Sequence, residues 1–225
     1  QKVVLKNFSE GTQIINKKNV ETFFKIKINK DSSNISFFDD SSYRYSQSFN
    51  FGTNIIIKDI EKICSISNET IVNYLSTVSL DEKKYSDNDY LEEIFFINDN
   101  YRKIRKKLIT EIANARIDEL INIILNKNIN LKSFLINNLK IYIVIQDKII
   151  IKNFKEAIKW TLLKYTNFEI IFIDEFELNE SILNTANLSL YGWKKEAIPL
   201  SQSKKSIITP IFKSLFGLRQ SPLFS

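Results

Sequence analysis

The chain has 225 residues, a mass of 26.4 kDa and a formal net charge of +6. That length suits one domain or two small ones, and a hydrophobic fraction of 44% can fill a sizeable core. With 4 Gly, 3 Pro and 12% aromatic residues, collagen-like, coiled-coil and wholly disordered chains are excluded. Cys64 stands alone, so there is no disulfide scaffold. The absence of His argues against zinc sites and removes Ser/His/Asp and Cys/His catalysis. Any enzyme here would need carboxylates, lysines, backbone amides or a bound metal. Heavy use of Ile, Asn and Lys suggests an AT-rich genome, so part of the positive charge reflects codon composition. A pI near 9.1 permits an anionic partner without demanding one. No stretch reaches the roughly 18–20 apolar residues of a membrane span. The opening QKVVLKNFSE lacks the apolar core of a signal peptide, and Gln1 is read as the start of a fragment.

Residues 1–20 carry no clear period. From residue 20 the chain reads as strands: VETFFKIKIN alternates at Phe24, Ile26 and Ile28, and SNISFF and YRYSQSF follow, split by the turn-like DDSS at 39–42. Residues 54–78 read as helical, with Ile56, Ile60, Ile63 and Cys64 on one face. Ser67 is a cap that restarts a second short helix. Residues 79–100 are acidic and polar, then strand-like at Ile94–Ile97, as in a surface hairpin. Residues 101–127 form the clearest helix, with Leu108, Ile112, Ala115, Ile117, Leu120, Ile123 and Ile124 at a 3.6-residue period. KIYIVIQ at 140–146 and FEIIFID at 168–174 read as buried strands. Between them FKEAIKWTLLKY is an amphipathic helix, which predicts a parallel strand–helix–strand unit. Residues 180–195 read as helical and 199–206 as a polar linker.

The tail carries the sharpest physical signal. In KKSIITPIFKSLFGLRQ, Ile207, Ile208, Ile211, Phe212, Leu215 and Leu218 share one helical face, and Phe216 widens it. Lys204, Lys205, Lys213 and Arg219 supply positive charge. Pro210 sits in the first turn, where a missing amide proton costs least. Such a helix suits an anionic membrane surface, and the same face could instead dock on its own domain. The basic run 102–107 could bind phosphates or an acidic peptide, or form a solvated helix face. Without interleaved aromatics it does not point to nucleic acid. Arg116 and Glu119 can pair at i,i+3 on the long helix. Cys64, on an apolar helix face, reads as an ordinary core residue.

The order of these elements resembles the second half of actin-like ATPases, and most of all the FtsA family of bacterial cell-division proteins. The hairpin Lys27 to Asn34 is similar to the family's Asp-Ile-Gly-Gly-Gly-Thr-Thr-Asp phosphate loop. Gly52-Thr53 stands at its Gly-Gly pair, and Ile57-Lys58-Asp59-Ile60 at its Thr-Asn-Asp-Ile. LITEIANARIDELINIIL resembles the family's long helix, with Arg116 and Glu119 at its Arg and Glu. KIYIVIQDKIIIKNFKEAI resembles the strand, Gly-Gly turn and helix at the nucleotide, and the tail resembles the membrane-targeting end. The likeness covers about residues 20–219. It implies an α/β, actin/Hsp70-like (ribonuclease H-like) half. Residues 1–52 and 128–198 would form its core, 53–127 an inserted peptide-binding subdomain, and 199–225 a linker and membrane tail.

The departures bear on chemistry. A phosphate loop needs Gly so that backbone amides can approach phosphate. The three Gly positions are Asn29, Lys30 and Asp31, followed by Ser32 and Ser33. The leading Asp is Lys27, and the second Gly of the exit pair is Thr53. The Glu and Lys of the adenosine-side helix are Val72 and Leu75, and the later Gly-Gly is Gln146-Asp147. Four segments have lost their nucleotide chemistry together. The expectation is therefore a chain that is not an enzyme and needs no cofactor. Lys27 and Lys30 leave open that ATP, with Mg, still binds by charge. The resemblance implies a cell-division adaptor on the cytoplasmic face of the bacterial inner membrane, at the division site. It would bind the C-terminal peptide of the tubulin-like FtsZ through Arg116, with Lys107 and Arg105 adding charge, and anionic lipid through the tail. Self-association is left open. The alternatives are an actin-like ATP-binding protein with a divergent site and a pilus-assembly actin-like scaffold.

Overall fold

A computed structural model describes residues 3–97, 99–126, 139–147, 151–174 and 178–193. The anchor residues Ile207, Ile208, Ile211, Phe212, Lys213, Leu215, Phe216, Leu218 and Arg219 lie outside the described residues. Among the described residues five strands form one sheet: β1 (Phe23–Ile28), β2 (Ser33–Asp39), β3 (Ser42–Phe49), β4 (Lys140–Ile145) and β5 (Glu169–Ile173), in the order β3-β2-β1-β4-β5. The first three make an antiparallel meander, and β4 pairs parallel to β1 and β5 parallel to β4. The β2–β3 turn is a tight one. Asp40 and Ser41 take φ of 49° and 61°, the paired left-handed conformation that matches strand twist and that a short polar side chain tolerates.

Strand alternation divides the sheet into two unlike faces. Phe24, Ile26 and Ile28 of β1 enter a large apolar core with Ile35, Phe37, Ile141 and Ile143. That core is covered by α2 (Asn54–Cys64), α3 (Asn68–Thr77), α4 (Lys106–Asn126) and α5 (Phe154–Tyr165). On the other face Phe23, Phe38 and Tyr142 form a smaller cluster with Ile14 and Ile15 of α1 (Lys6–Lys18). There α6 (Leu178–Tyr191) lies against α1, and Asn184 Nδ2 donates to Ser9 O at 2.9 Å. Helices α2–α4, which fall in the expected inserted subdomain, share one continuous core with the sheet. Ser67 caps α3 as expected, accepting from Thr70 N–H at 3.3 Å.

Several expectations need correction. The unassigned front of the chain is α1. Its buried positions include Ser9, Glu10, Thr12 and Gln13, so it has no apolar period to read. Ile94–Ile97 is not a strand: Glu93–Phe95 make one 3-10 turn, and Ile94 is 80% exposed. In α2, Ile56 and Ile60 face inward as expected, Ile57 joins them, and Ile63 faces out. In α4 the buried stripe runs through Ile109, Ile112, Ala113, Ile117, Leu120, Ile121 and Ile124, while Ala115 is exposed. β5 is only half buried, because no described strand pairs with its outer edge. Among the described residues no helix is long and apolar enough to cross a membrane.

Candidate functional site at the hairpin cradle

The segments likened to a phosphate site converge. The β1–β2 tip, residues 29–32, is closed by Asn29 N–H donating to Ser32 O at 2.8 Å and Asn29 Nδ2 donating to Ser32 Oγ at 3.1 Å. Its carbonyls face the start of α2. Thr53 N–H donates to Asn29 O at 3.1 Å, and Asn54 N–H to Lys30 O at 2.8 Å. The hairpin thus satisfies amides that a helix start leaves without intrahelical partners. Gly52 permits this approach, since a Cβ there would sit 2.4 Å from Asn29 O. Gln146 N–H donates to Ile28 O at 2.8 Å, and Thr53 Oγ1 donates to Asp147 Oδ2. Lys30 and Asp31 project to solvent, with Asp31 Oδ1 accepting from Asn54 Nδ2 at 2.9 Å. Ser33 Oγ is spent on Phe51 O at 2.7 Å. Leu75 is fully buried and Val72 packs against the same core, so the positions likened to the family's adenosine side are packing residues here.

Beside the tip lies an open pocket of about 380 Å³ between the first turn of α1 and the polar face of the sheet. Leu5, Lys6 and Asn7 line one side; Lys27, Asn29, Ser32, Ser33, Asn34, Tyr43, Ser48 and Gln146 complete it. Its floor follows from register. Lys27 is opposite Asn34, which is opposite Ser48, and Lys25 is opposite Ser36, which is opposite Ser46. Asn34 Nδ2 reaches Ser46 Oγ at 2.9 Å and Ser48 Oγ at 3.0 Å, and Ser36 Oγ donates to Asn34 Oδ1 at 2.9 Å.

Under the pocket sits a buried ion triad. Lys25 Nζ meets Glu10 Oε2 at 2.5 Å and Lys27 Nζ meets Glu10 Oε1 at 2.7 Å; the side chains of Lys25, Glu10 and Lys27 are 0%, 7% and 7% exposed. Burial pushes the Glu10 carboxyl up, but attraction and hydrogen bonds from Lys25 and then Lys27 outweigh it and hold the group below its ordinary value. Burial pulls the Lys25 ammonium down, and Glu10 restores only part of the loss. Lys27 therefore has a definite role at the position likened to a metal-placing Asp: it is the second cation on Glu10.

These residues do not fit a magnesium nucleotide. Among the described residues no acidic side chain lines the pocket, and both Glu10 oxygens are taken by lysines. Among the described residues no group of three or more His, Cys, Asp or Glu could hold a metal ion.

The three expected peptide-binding cations are not brought together in one groove. Arg116 is partly exposed and its guanidinium is taken up by Asp59 of α2 and by Glu119 one turn on. Lys107 pairs with Asp87 at 2.8 Å. Arg105 bridges Tyr90 through its backbone and makes no ion pair among the described residues. Nine residues of helix put Arg116 about 14 Å along α4 from Lys107. What sequence reasoning missed was α1, and with it Glu10 and Lys6. The available signal was Lys25 and Lys27, two like charges on one face of a strand that is otherwise apolar, which call for a buried partner.

No protein-family model matches the chain, and no curated protein matches it. Solved structures do. The ethanolamine utilization protein EutJ from Carboxydothermus hydrogenoformans is 12% identical at a TM-score of 0.48, covering 80% of this chain and 52% of its own. MreB 5 of Spiroplasma citri bound to AMPPNP is 16% identical at 0.47, covering 93% and 60%. The PilM-PilN type IV pilus biogenesis complex is 9% identical at 0.47, covering 84% and 50%. The chain thus spans between half and about three fifths of the length of these structures. By its own sheet order and strand directions, the fold is an actin/Hsp70-like half.

Proposed function

We propose that this chain is a non-hydrolysing, actin-like adaptor of the FtsA kind, holding the C-terminal peptide of an FtsZ-like partner at an anionic membrane surface. The observation that carries the non-hydrolysing part is Lys27. At the position where the resembled family puts a metal-placing carboxylate, this chain has an ammonium group that shares the single carboxylate of Glu10 with Lys25, which leaves the triad net positive. A site of that charge repels a divalent cation, so the site is left to serve structure or anion binding. The basic, apolar tail pattern of residues 204–219 supports the lipid half of the reading. The peptide half rests on Arg116, Lys107 and Arg105. An acidic peptide at Arg116 would have to displace Asp59 or Glu119, whereas Arg105 is exposed and makes no direct ion pair among the described residues, with Asp87 near enough to feel its charge.

Flotation of the full chain with anionic vesicles tests this. The wild type should carry an FtsZ C-terminal peptide to the vesicles without ATP. Phe212→Asp with Leu215→Asp should leave both protein and peptide in the soluble fraction. Equal flotation of wild type and variant would contradict the tail's role, and flotation of the protein without peptide would contradict the partner.

A further inference from the structure

We infer that the exposed face of α6 is the resting seat of the chain's own tail, residues 207–218, and that an anionic lipid surface competes with it for that tail. That the freed tail meets lipid rests on the reading above; the seat itself stands on α6. This helix is turned against the usual pattern, in which the apolar stripe faces the core and the polar side faces water. Its inner side is polar apart from Leu188. Asn184 Nδ2 donates to Ser9 O at 2.9 Å and to Thr12 Oγ1 at 3.0 Å, and Thr185 Oγ1 lies 3.0 Å from Ser9 Oγ. Its outward side is apolar. Ile182, Leu183, Leu190 and Tyr191 are 56%, 65%, 69% and 84% exposed, and Ala186 lies exposed between them. Scattered surface hydrophobics need no cover, but a stripe gathered on one helix face marks an interaction surface.

The tail fits this stripe in spacing, reach and charge. On α6 the outward residues 182, 183, 186, 190 and 191 fall at i, i+1, i+4, i+8 and i+9, and Ile207, Ile208, Ile211, Leu215 and Phe216 repeat the same intervals. Read as helices, the two stripes have one length and one period, so they can pack along each other. Residues 194–206 reach roughly 43 Å when extended, about twice the roughly 21 Å length of α6, so the tail can return antiparallel along that helix. In that direction Lys204 and Lys205 come to the C-terminal end of α6, which has no basic residue in its last turn and favours cations. Arg219 comes to the N-terminal end, where Glu180 stands in the first turn and Asp174, fully exposed, precedes it. A second copy of α6 offers less, because the helix carries no Lys or Arg to set against those acids. A tethered segment also acts at a roughly millimolar effective concentration, which a second copy does not reach. The same apolar residues cannot face α6 and lipid at once, so docking withholds the tail from the membrane. A tail seated about nine-tenths of the time weakens apparent lipid affinity about tenfold.

The test is disulfide trapping in the full chain carrying Cys64→Ser. Antiparallel packing sets Leu183 opposite Leu215 and Leu190 opposite Ile208. Leu183→Cys with Leu215→Cys should close an intramolecular disulfide under mild oxidation, seen as a monomer of altered mobility on a non-reducing gel. Leu183 and the control position Leu163, on α5 across the sheet, are both exposed, so neither substitution threatens the fold. Leu163→Cys with Leu215→Cys should stay reduced. Vesicles of anionic lipid added before the oxidant should cut the 183–215 yield several-fold. In flotation without a crosslink, Leu183→Ser with Leu190→Ser should tighten vesicle binding about tenfold, and unchanged binding overturns the inference. Absence of the 183–215 disulfide, or equal yield in the control pair, overturns the seat and leaves the adaptor reading standing. Disulfide-linked dimers that rise with protein concentration place a second copy on α6 and overturn it too. A full 183–215 yield that anionic vesicles leave unchanged, from a wild type that does not float, upholds the seat and contradicts the membrane reading.

Discussion

Replacing Glu10 with Gln isolates the buried triad. The amide keeps the volume and removes the charge, leaving Lys25 and Lys27 as two cations on neighbouring positions of one strand face, both with side chains less than one-tenth exposed. Removing one partner of a buried ion pair costs about 3–5 kcal/mol, because the remaining charge stays desolvated and unpaired. Against a typical total of about 5–15 kcal/mol, that is a large share. At about 2–4 °C per kcal/mol for a chain of this size, the melting temperature should fall by roughly 6–20 °C. The sign of the pH dependence is a stricter check. Burial already holds the Lys25 ammonium below its ordinary value, and Glu10 is what offsets part of that, so without Glu10 the destabilisation is felt while Lys25 is protonated and fades as pH rises. The gap between variant and wild type, measured by urea denaturation, should therefore narrow from pH 7 to pH 9.5. Lys25→Met leaves the neutral Glu10–Lys27 pair and should cost far less than Glu10→Gln. In the wild type, Glu10 has its pKa lowered by folding. Its contribution is complete above about pH 4.5 and is lost as pH falls through the lower folded value. A Glu10→Gln loss under about 1 kcal/mol, or one unchanged from pH 7 to 9.5, would refute the triad's role.

Gly52→Ala should cost about 1–3 kcal/mol, since the new methyl would meet backbone atoms, Asn29 O at 2.4 Å and Lys30 O at 2.5 Å; faster hydrogen exchange at Thr53 and Asn54 is the local readout. Gly11→Ala gains up to about 1 kcal/mol of helix preference. It should nevertheless destabilise, because the Cβ falls 1.8 Å from Phe38 Cζ on a fully buried ring stacked with Phe23; a higher melting temperature would mean α1 is free to shift. Arg116→Ala breaks the ties to Asp59 and Glu119 but, at a partly exposed site, should cost only about 0.2–1 kcal/mol in urea denaturation.

The sheet was legible because its pattern lies along the chain. Phe24, Ile26 and Ile28 alternate within six residues, and the two apolar runs at 140–146 and 168–174 flank an amphipathic helix, so a meander and a parallel unit could both be read locally. The converging loops around Gly52, Gln146 and the hairpin tip were legible as positions, through their resemblance to a phosphate site. Their partners were not. Glu10 lies fifteen and seventeen residues before Lys25 and Lys27, on a helix whose buried side is Ser9, Glu10, Thr12 and Gln13. Hydrophobic periodicity cannot report a face that is buried because it is paired. The same limit moved the buried stripe of α4: Ala115 fits the period by composition, but Ala113 and Ile109 are the residues that face the core. Ile94 and Ile97 looked like strand residues because they are apolar, yet a single turn between polar neighbours offers nothing to pair with.

Phosphate release from Mg-ATP by the purified full chain, assayed on anionic vesicles with the FtsZ peptide present, probes the loss of hydrolysis. A rate indistinguishable from the protein-free blank is expected, because Lys27 stands where the resembled family has a metal-placing Asp and the carboxylate beneath it, Glu10, is held by two lysines. Saturable, magnesium-dependent turnover that tracks protein concentration would contradict it.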